Sequence, residues 1–215
     1  MQEKPLDIAH YEILTSKTLH KIPVVNHVQL HSLEDPLLEA KKFIHHFEKQ
    51  IQEKRNYFVL GLGFGHHLQQ LALRAQFYHQ DQWEMVVVEP NQRTIADFHL
   101  YRPVDLGKKF DILTGPVQDL YSNEKFVRFL STSPVLLSHP QSIQVYEQYF
   151  KDLFSFRAND SIEEIRESIK DPHFKIYLQQ FHGDYHLIDC LKEVSNKKSE
   201  NKFDYLLLTA NFLSS

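Results

Sequence analysis

The chain has 215 residues, 42% of them hydrophobic, and a formal net charge of −4. This length fits one large domain, or one domain with an appendage, and the charge gives no basic excess for nucleic-acid binding. Its apolar runs are far shorter than the ~20 residues of a membrane span, and no secretory signal opens the chain. Cys190 is the single cysteine, which excludes an internal disulfide and favours a cytoplasmic protein.

Residues 1–55 are predicted to lead into the core as a hairpin and a helix. Two stretches alternate or run apolar with β-branched residues and predict a hairpin or edge strands: 10–16 and 24–31. Either Ser32 or Asp35 is placed to cap a helix whose first residue is Pro36, a favoured start. The helical spacing of apolar residues continues to about residue 54.

Residues 56–156 alternate between strand-like and helix-like patterns. Strands are predicted at 57–61, 84–89, 109–114 and 134–138, and helices at 66–78, 91–101, 117–130 and 141–154. Valine-rich strands separated by crossover helices predict a right-handed, doubly wound parallel sheet. The fold class is therefore α/β, Rossmann-like and methyltransferase-like.

Residues 157–215 are predicted to be a polar helical region followed by a strand at 202–210. This strand would either complete the sheet or begin a further unit. Within the region, His182 and His186 lie four residues apart, with Asp189 one turn later, a spacing that could bind zinc on a helix. The Glu of an HExxH motif is missing and Gly183 weakens a helix, so a solvated polar face and no metal site are predicted.

The segment 57–71 is the most informative in the chain, because a strand breaks there into a glycine turn and a helix. The turn contains Gly61, Gly63 and Gly65, half of the chain's 6 glycines. Backbone N–H groups and the positive end of a helix dipole meet at such a junction, which suits an anionic or nucleotide-like ligand. His66 and His67 begin the helix, where either imidazole could donate a proton or contact a phosphate.

Glu89 and Asn91 follow the next predicted strand, and Glu89 is placed to accept hydrogen bonds from ribose hydroxyls. His66 stands where a dinucleotide fingerprint has its third glycine, which argues against NAD or FAD. A methyltransferase-type G-x-G-x-G fits better, although Val59 replaces the acid usual before it. The alternatives are a nucleotide, a nucleotide-sugar or S-adenosylmethionine, or glycines that only allow packing. No nucleophile elbow or phosphate-binding loop is present, so the catalytic residues are unknown.

Three motifs in order resemble the N-terminal domain of the motility-associated factor (Maf) glycosyltransferases. They are LHSLEDPLLEA, VLGLGFGHH and VVVEPN. The matching residues are His31, Ser32, Asp35, Pro36, Glu39, Ala40, Gly61, Gly63, Gly65, His67, Glu89 and Pro90, and the resemblance covers roughly residues 10 to 120.

The resemblance implies a link to flagellin or surface glycosylation. Maf proteins carry catalysis in a separate central domain, which this chain is too short to contain whole, so no catalytic residue is carried over. The leading hypothesis is a Rossmann-like module that binds a nucleotide-like ligand or a protein partner, namely flagellin or another domain or subunit. A methyltransferase and a non-catalytic scaffold remain the alternatives.

Overall fold

The structure is a computed structural model that describes residues 8–101, 103–104 and 109–156. These residues lie in the first of two compact units, Met1–Ser155, apart from Phe156. The predicted helical region 157–215, its strand at 202–210 and the residues His182, His186 and Asp189 lie outside the described residues. Among the described residues, no helix combines the length and the apolar character needed to cross a membrane.

An antiparallel sheet of three strands opens the described chain, with β1 at Tyr11–Thr15, β2 at Lys21–Val25 and β3 at Val28–Gln29 in the order β1-β2-β3. The first predicted strand is confirmed. The second is divided, because Asn26 and His27 have φ angles of 48° and 65°. This left-handed pair makes the tight turn that separates β2 from β3.

The helix predicted after the hairpin is divided into α1, Pro36–His45, and α2, Glu48–Glu53. Asp35 caps α1, since its Oδ1 accepts hydrogen bonds from the backbone N–H groups of Leu37 and Leu38 at 3.0 and 2.9 Å. The single helix predicted to run to residue 54 is wrong at the turn around His46.

A parallel sheet of four strands forms the core of the described region. Its strands are β4 Asn56–Leu60, β5 Glu84–Val88, β6 Phe110–Leu113 and β7 Val135–Ser138. The helices are α3 His66–His79, α4 Gln92–Tyr101, α5 Val117–Tyr121, α6 Glu124–Leu130, α7 Pro140–Val145 and α8 Glu147–Ser155. The predicted α/β, Rossmann-like fold class is therefore confirmed, while two predicted helices, 117–130 and 141–154, are each divided in two.

The strand order β6-β5-β4-β7 places the switch in chain direction at β4. After β4, the chain adds β5 beside β4 and β6 beside β5. It then returns and adds β7 on the other side of β4. In sheets of this kind the carboxyl ends of the strands on either side of the switch border the ligand crevice. The residues that follow β4 and β7 are therefore the ones to examine.

Candidate functional site

The glycine turn between β4 and α3 is held by backbone angles that favour glycine. Gly61, Gly63 and Gly65 have φ angles of 94°, 49° and 76°. Gly61 continues the sheet by donating its N–H to Val88 O at 2.9 Å. Gly65 precedes the first residue of α3, His66.

The space above the turn is occupied by side chains of the chain itself. A Cβ placed on Gly63 would lie 2.5 Å from Nε2 of His31, and one on Gly61 would collide with Ser142. A Cβ on Gly65 would lie 2.8 Å from Val104. The glycines are therefore required by the side chains that pack closely against them as well as by their φ angles.

Glu89 lies directly after β5, fully buried, and both of its carboxylate oxygens accept backbone hydrogen bonds. Oε2 accepts from Leu62 N at 2.9 Å and Oε1 from Asn91 N at 3.0 Å. Burial raises the pKa of Glu89 to about 7, although these hydrogen bonds oppose the rise. The carboxylate thus ties the glycine turn after β4 to the start of α4.

Asn91 is buried and fixed between two elements. Its Oδ1 accepts from Arg93 N at 3.0 Å at the start of α4, and its Nδ2 donates to the Tyr146 hydroxyl at 3.1 Å. Burial and the neighbouring Glu89 carboxyl raise the pKa of Tyr146. The hydrogen bonds of Glu89 and Asn91 therefore join the glycine turn, the start of α4 and Tyr146.

His66 and His67 are both buried at the first turn of α3. His66 Nε2 lies 3.3 Å from Lys21 O of β2, and burial lowers the pKa of His66. His67 Nε2 lies 3.1 Å from Gly61 O. The first histidine therefore contacts the N-terminal sheet, and the second contacts the glycine turn.

His67 joins two further buried histidines in a cluster, which we call the histidine trio: His31, His67 and His139. One ring nitrogen from each lies within 4.8 Å of those of the other two. The rings of His67 and His139 stack with centroids 4.4 Å apart, and those of His31 and His139 lie 4.8 Å apart. The trio lies at the switch point, because His67 follows β4 and His139 follows β7.

The three rings of the trio are 2%, 1% and 3% exposed. Burial, reinforced by repulsion between the rings, holds the pKa of each well below the ordinary histidine value. All three are therefore neutral at physiological pH, which is the form that donates a lone pair.

The sequence did not predict that these three histidines lie close together. His139 directly follows the predicted strand 134–138 and His31 lies in a motif of the resemblance, while His66 and His67 were predicted as ligand contacts. The available signal was positional, since His139 follows β7 as Glu89 follows β5. The ligand-binding role predicted for Gly61, Gly63, Gly65, His66, His67, Glu89 and Asn91 stays a prediction.

No protein-family model and no curated protein matches the chain. Among solved structures, the crystal structure of MnmC2 from Aquifex aeolicus is similar at 17% identity and a TM-score of 0.37. The match covers 55% of this chain and 47% of that one, so the chain spans about half the length of the solved structure. A likeness this distant assigns no function.

Proposed function

We propose that the chain is a Rossmann-like module of a Maf-type glycosylation protein that binds a protein partner and does not itself carry the catalytic site. The ordered motifs around His31, the glycine turn and Glu89 support the relationship. The partner is flagellin, or another domain or subunit of the glycosylation system.

The observation that carries the proposal is that side chains fill the space around the glycine turn at the carboxyl ends of the strands. We call this edge of the sheet, with Gly61, Gly63 and the side chains of His31 and Ser142, the rim. His31 and Ser142 lie against Gly63 and Gly61 at distances that leave no room for a Cβ. A nucleotide entering here would displace both side chains. The turn therefore serves packing better than it serves a ligand.

The state of Glu89 supports the same conclusion. A carboxylate that recognises ribose needs oxygens that face the crevice, whereas Glu89 is 0% exposed and both of its oxygens accept backbone N–H groups. Each oxygen keeps a second lone pair, but a ribose would reach it only if the side chains that cover Glu89 moved away. A nucleotide, a nucleotide-sugar and S-adenosylmethionine are all disfavoured by this rearrangement.

A second surface supports protein binding. Between α1 and α3 lies a groove lined by Lys41, Lys42, Ile44, His45, Gln70, Leu73, Arg74 and Phe77, which we call the α1–α3 groove. Leu73 is 59% exposed and Phe77 is 73% exposed. Exposed apolar side chains side by side on one helix are typical of a protein contact, and the three cations favour an acidic, amphipathic partner segment.

Calorimetric titration with CMP-sugar, S-adenosylmethionine and simple nucleotides tests the proposal. We expect no heat of binding from any of them, because the rim is filled. The matched variant is Glu89→Ala, which removes the carboxylate that a ribose or a methyl donor would use. Heat from S-adenosylmethionine that disappears in Glu89→Ala would overturn the proposal in favour of a methyltransferase.

A further inference from the structure

We propose that the histidine trio, His31, His67 and His139, binds one divalent transition-metal ion of the zinc class at the switch point of the sheet. This inference shares His31 and Ser142 with the packing around the glycine turn, but it does not require the proposed function, because it rests on the buried donor set alone. Three nitrogens within 4.8 Å of one another, on three separate segments, form the donor set.

In each ring one nitrogen lies near a polar partner, as the non-coordinating nitrogen of a metal-ligating histidine usually does. His67 Nε2 lies 3.1 Å from Gly61 O, which can only accept, so Nε2 carries the proton and Nδ1 carries the lone pair. That Nδ1 is buried and has no hydrogen-bond partner among the described residues. A lone pair in this condition points to a ligand that the protein atoms do not supply.

The other two rings have comparable outer partners. His139 Nδ1 lies 2.8 Å from Ser142 Oγ, which leaves Nε2 for a metal. His31 Nδ1 lies 3.4 Å from Glu39 Oε2, and the same oxygen is fixed by Ser32 N at 2.8 Å. A carbonyl, a hydroxyl and a carboxylate behind three imidazoles match the second shell of histidine metal sites.

One contact competes with the metal. Nε2 of His31 accepts a hydrogen bond from Phe64 N, but at 3.3 Å the bond is long. Zinc–nitrogen bonds of about 2.0–2.1 Å place tetrahedral ligands roughly 3.4 Å apart. The rings would therefore close by no more than about 1.4 Å from their present spacing, which is within reach of small side-chain rotations.

The chemistry of the donors selects the ion. Three neutral imidazoles suit zinc and its neighbours, whereas magnesium and calcium require oxygen ligands. Phe43 closes one side, with its ring centroid 6.0 Å from that of His67 and 6.4 Å from that of His139. A buried site of this kind stabilises a fold by joining separate segments, here the one that contains His31 with those that contain His67 and His139.

Zinc titration of the chelator-stripped protein against a chromophoric chelator tests the inference. We expect one high-affinity equivalent, and at least a 100-fold loss of affinity in His31→Gln and in His139→Gln. The exposed His99→Gln is the matched control, and His182→Gln/His186→Gln tests the other histidine pair. The inference fails if zinc does not bind, or if only the His182/His186 variant loses it.

Spectroscopy of the wild-type protein keeps the test valid if the trio variants do not fold. Cobalt(II) in the site should give the intense visible absorption of a four-coordinate ion, and zinc X-ray absorption should show three imidazole nitrogens at about 2.0 Å. A weak octahedral cobalt spectrum, or a zinc shell dominated by oxygen, would overturn the inference.

Discussion

Glu89 is fully buried, and no cation pairs with it among the described residues. Its two oxygens satisfy Leu62 N and Asn91 N, so the side chain holds two segments together whether or not it is ionised. With a pKa raised to about 7, it changes charge close to physiological pH. The stability of the turn is therefore linked to pH through this one residue.

The linkage gives a signed prediction. Because the folded state holds the Glu89 proton more tightly than the unfolded chain, its stabilising contribution is present below about pH 4.5 and is lost as the pH rises through about 7. The difference in free energy of unfolding between wild type and Glu89→Gln should fall by about 3 kcal/mol across that window. Urea denaturation at several pH values measures it.

Taking the difference between the free energies of unfolding of wild type and Glu89→Gln cancels the pH dependence that arises from histidines, because both proteins contain the same histidines. A Glu89→Gln difference that does not change with pH would mean that the raised pKa of Glu89 is wrong.

Gly63 shows how closely the turn and the trio depend on each other. Gly63→Ala should cost about 2–4 kcal/mol, because alanine is strained at a φ of 49° and its Cβ would meet His31 Nε2. In a His31→Ala background only the strain remains, so the cost should fall to about 1–2 kcal/mol. A double-mutant cycle by urea denaturation measures the difference.

The cost of Gly63→Ala has two parts, the backbone strain and the contact with His31, and the double-mutant cycle measures them separately. Equal costs of Gly63→Ala in both backgrounds would mean that His31 does not pack on the turn.

At the scale of elements, the strands of the sheet were predictable to within about one residue, because each is a short apolar run ended by Gly, Pro or a polar residue. The start of α1 was also predictable, since Asp35 and Pro36 are a strong local signal. These features depend on neighbours in sequence.

The helix breaks were less predictable, because no Gly or Pro marks them. Tyr146 separates α7 from α8 and is held by Asn91, which is distant in sequence. Only Asn123 gave a local signal, since its side chain accepts from Lys125 N and Phe126 N and caps α6.

The candidate site shows the same division between local and distant information. The glycine turn could be located from its sequence, but not the side chains that fill it. Glu89 has the same acceptor chemistry whether it binds ribose or backbone N–H groups, so only the fold distinguishes the two. The histidine trio combines segments that are far apart along the chain, and no spacing rule joins them.

At the scale of the whole described region, the two candidate surfaces have different properties. The switch point, where an α/β sheet usually binds its ligand, is closed by His31, Ser142 and Glu89. The α1–α3 groove is open and carries exposed Leu73 and Phe77. Of these two surfaces of the described region, the α1–α3 groove is therefore the one that is open to a protein partner.

Binding to purified flagellin tests this surface. We expect the chain to co-elute with flagellin in size-exclusion chromatography, and Leu73→Ser/Phe77→Ser to weaken the complex at least tenfold, since central apolar contacts dominate such interfaces. Leu100→Ser is the matched control, because Leu100 is 72% exposed and lies on α4, away from the groove. Raising the salt concentration should also weaken the complex, because Lys41, Lys42 and Arg74 line the groove. A complex that tolerates the double variant but not Leu100→Ser would move the interface to α4 and contradict the assignment of the groove.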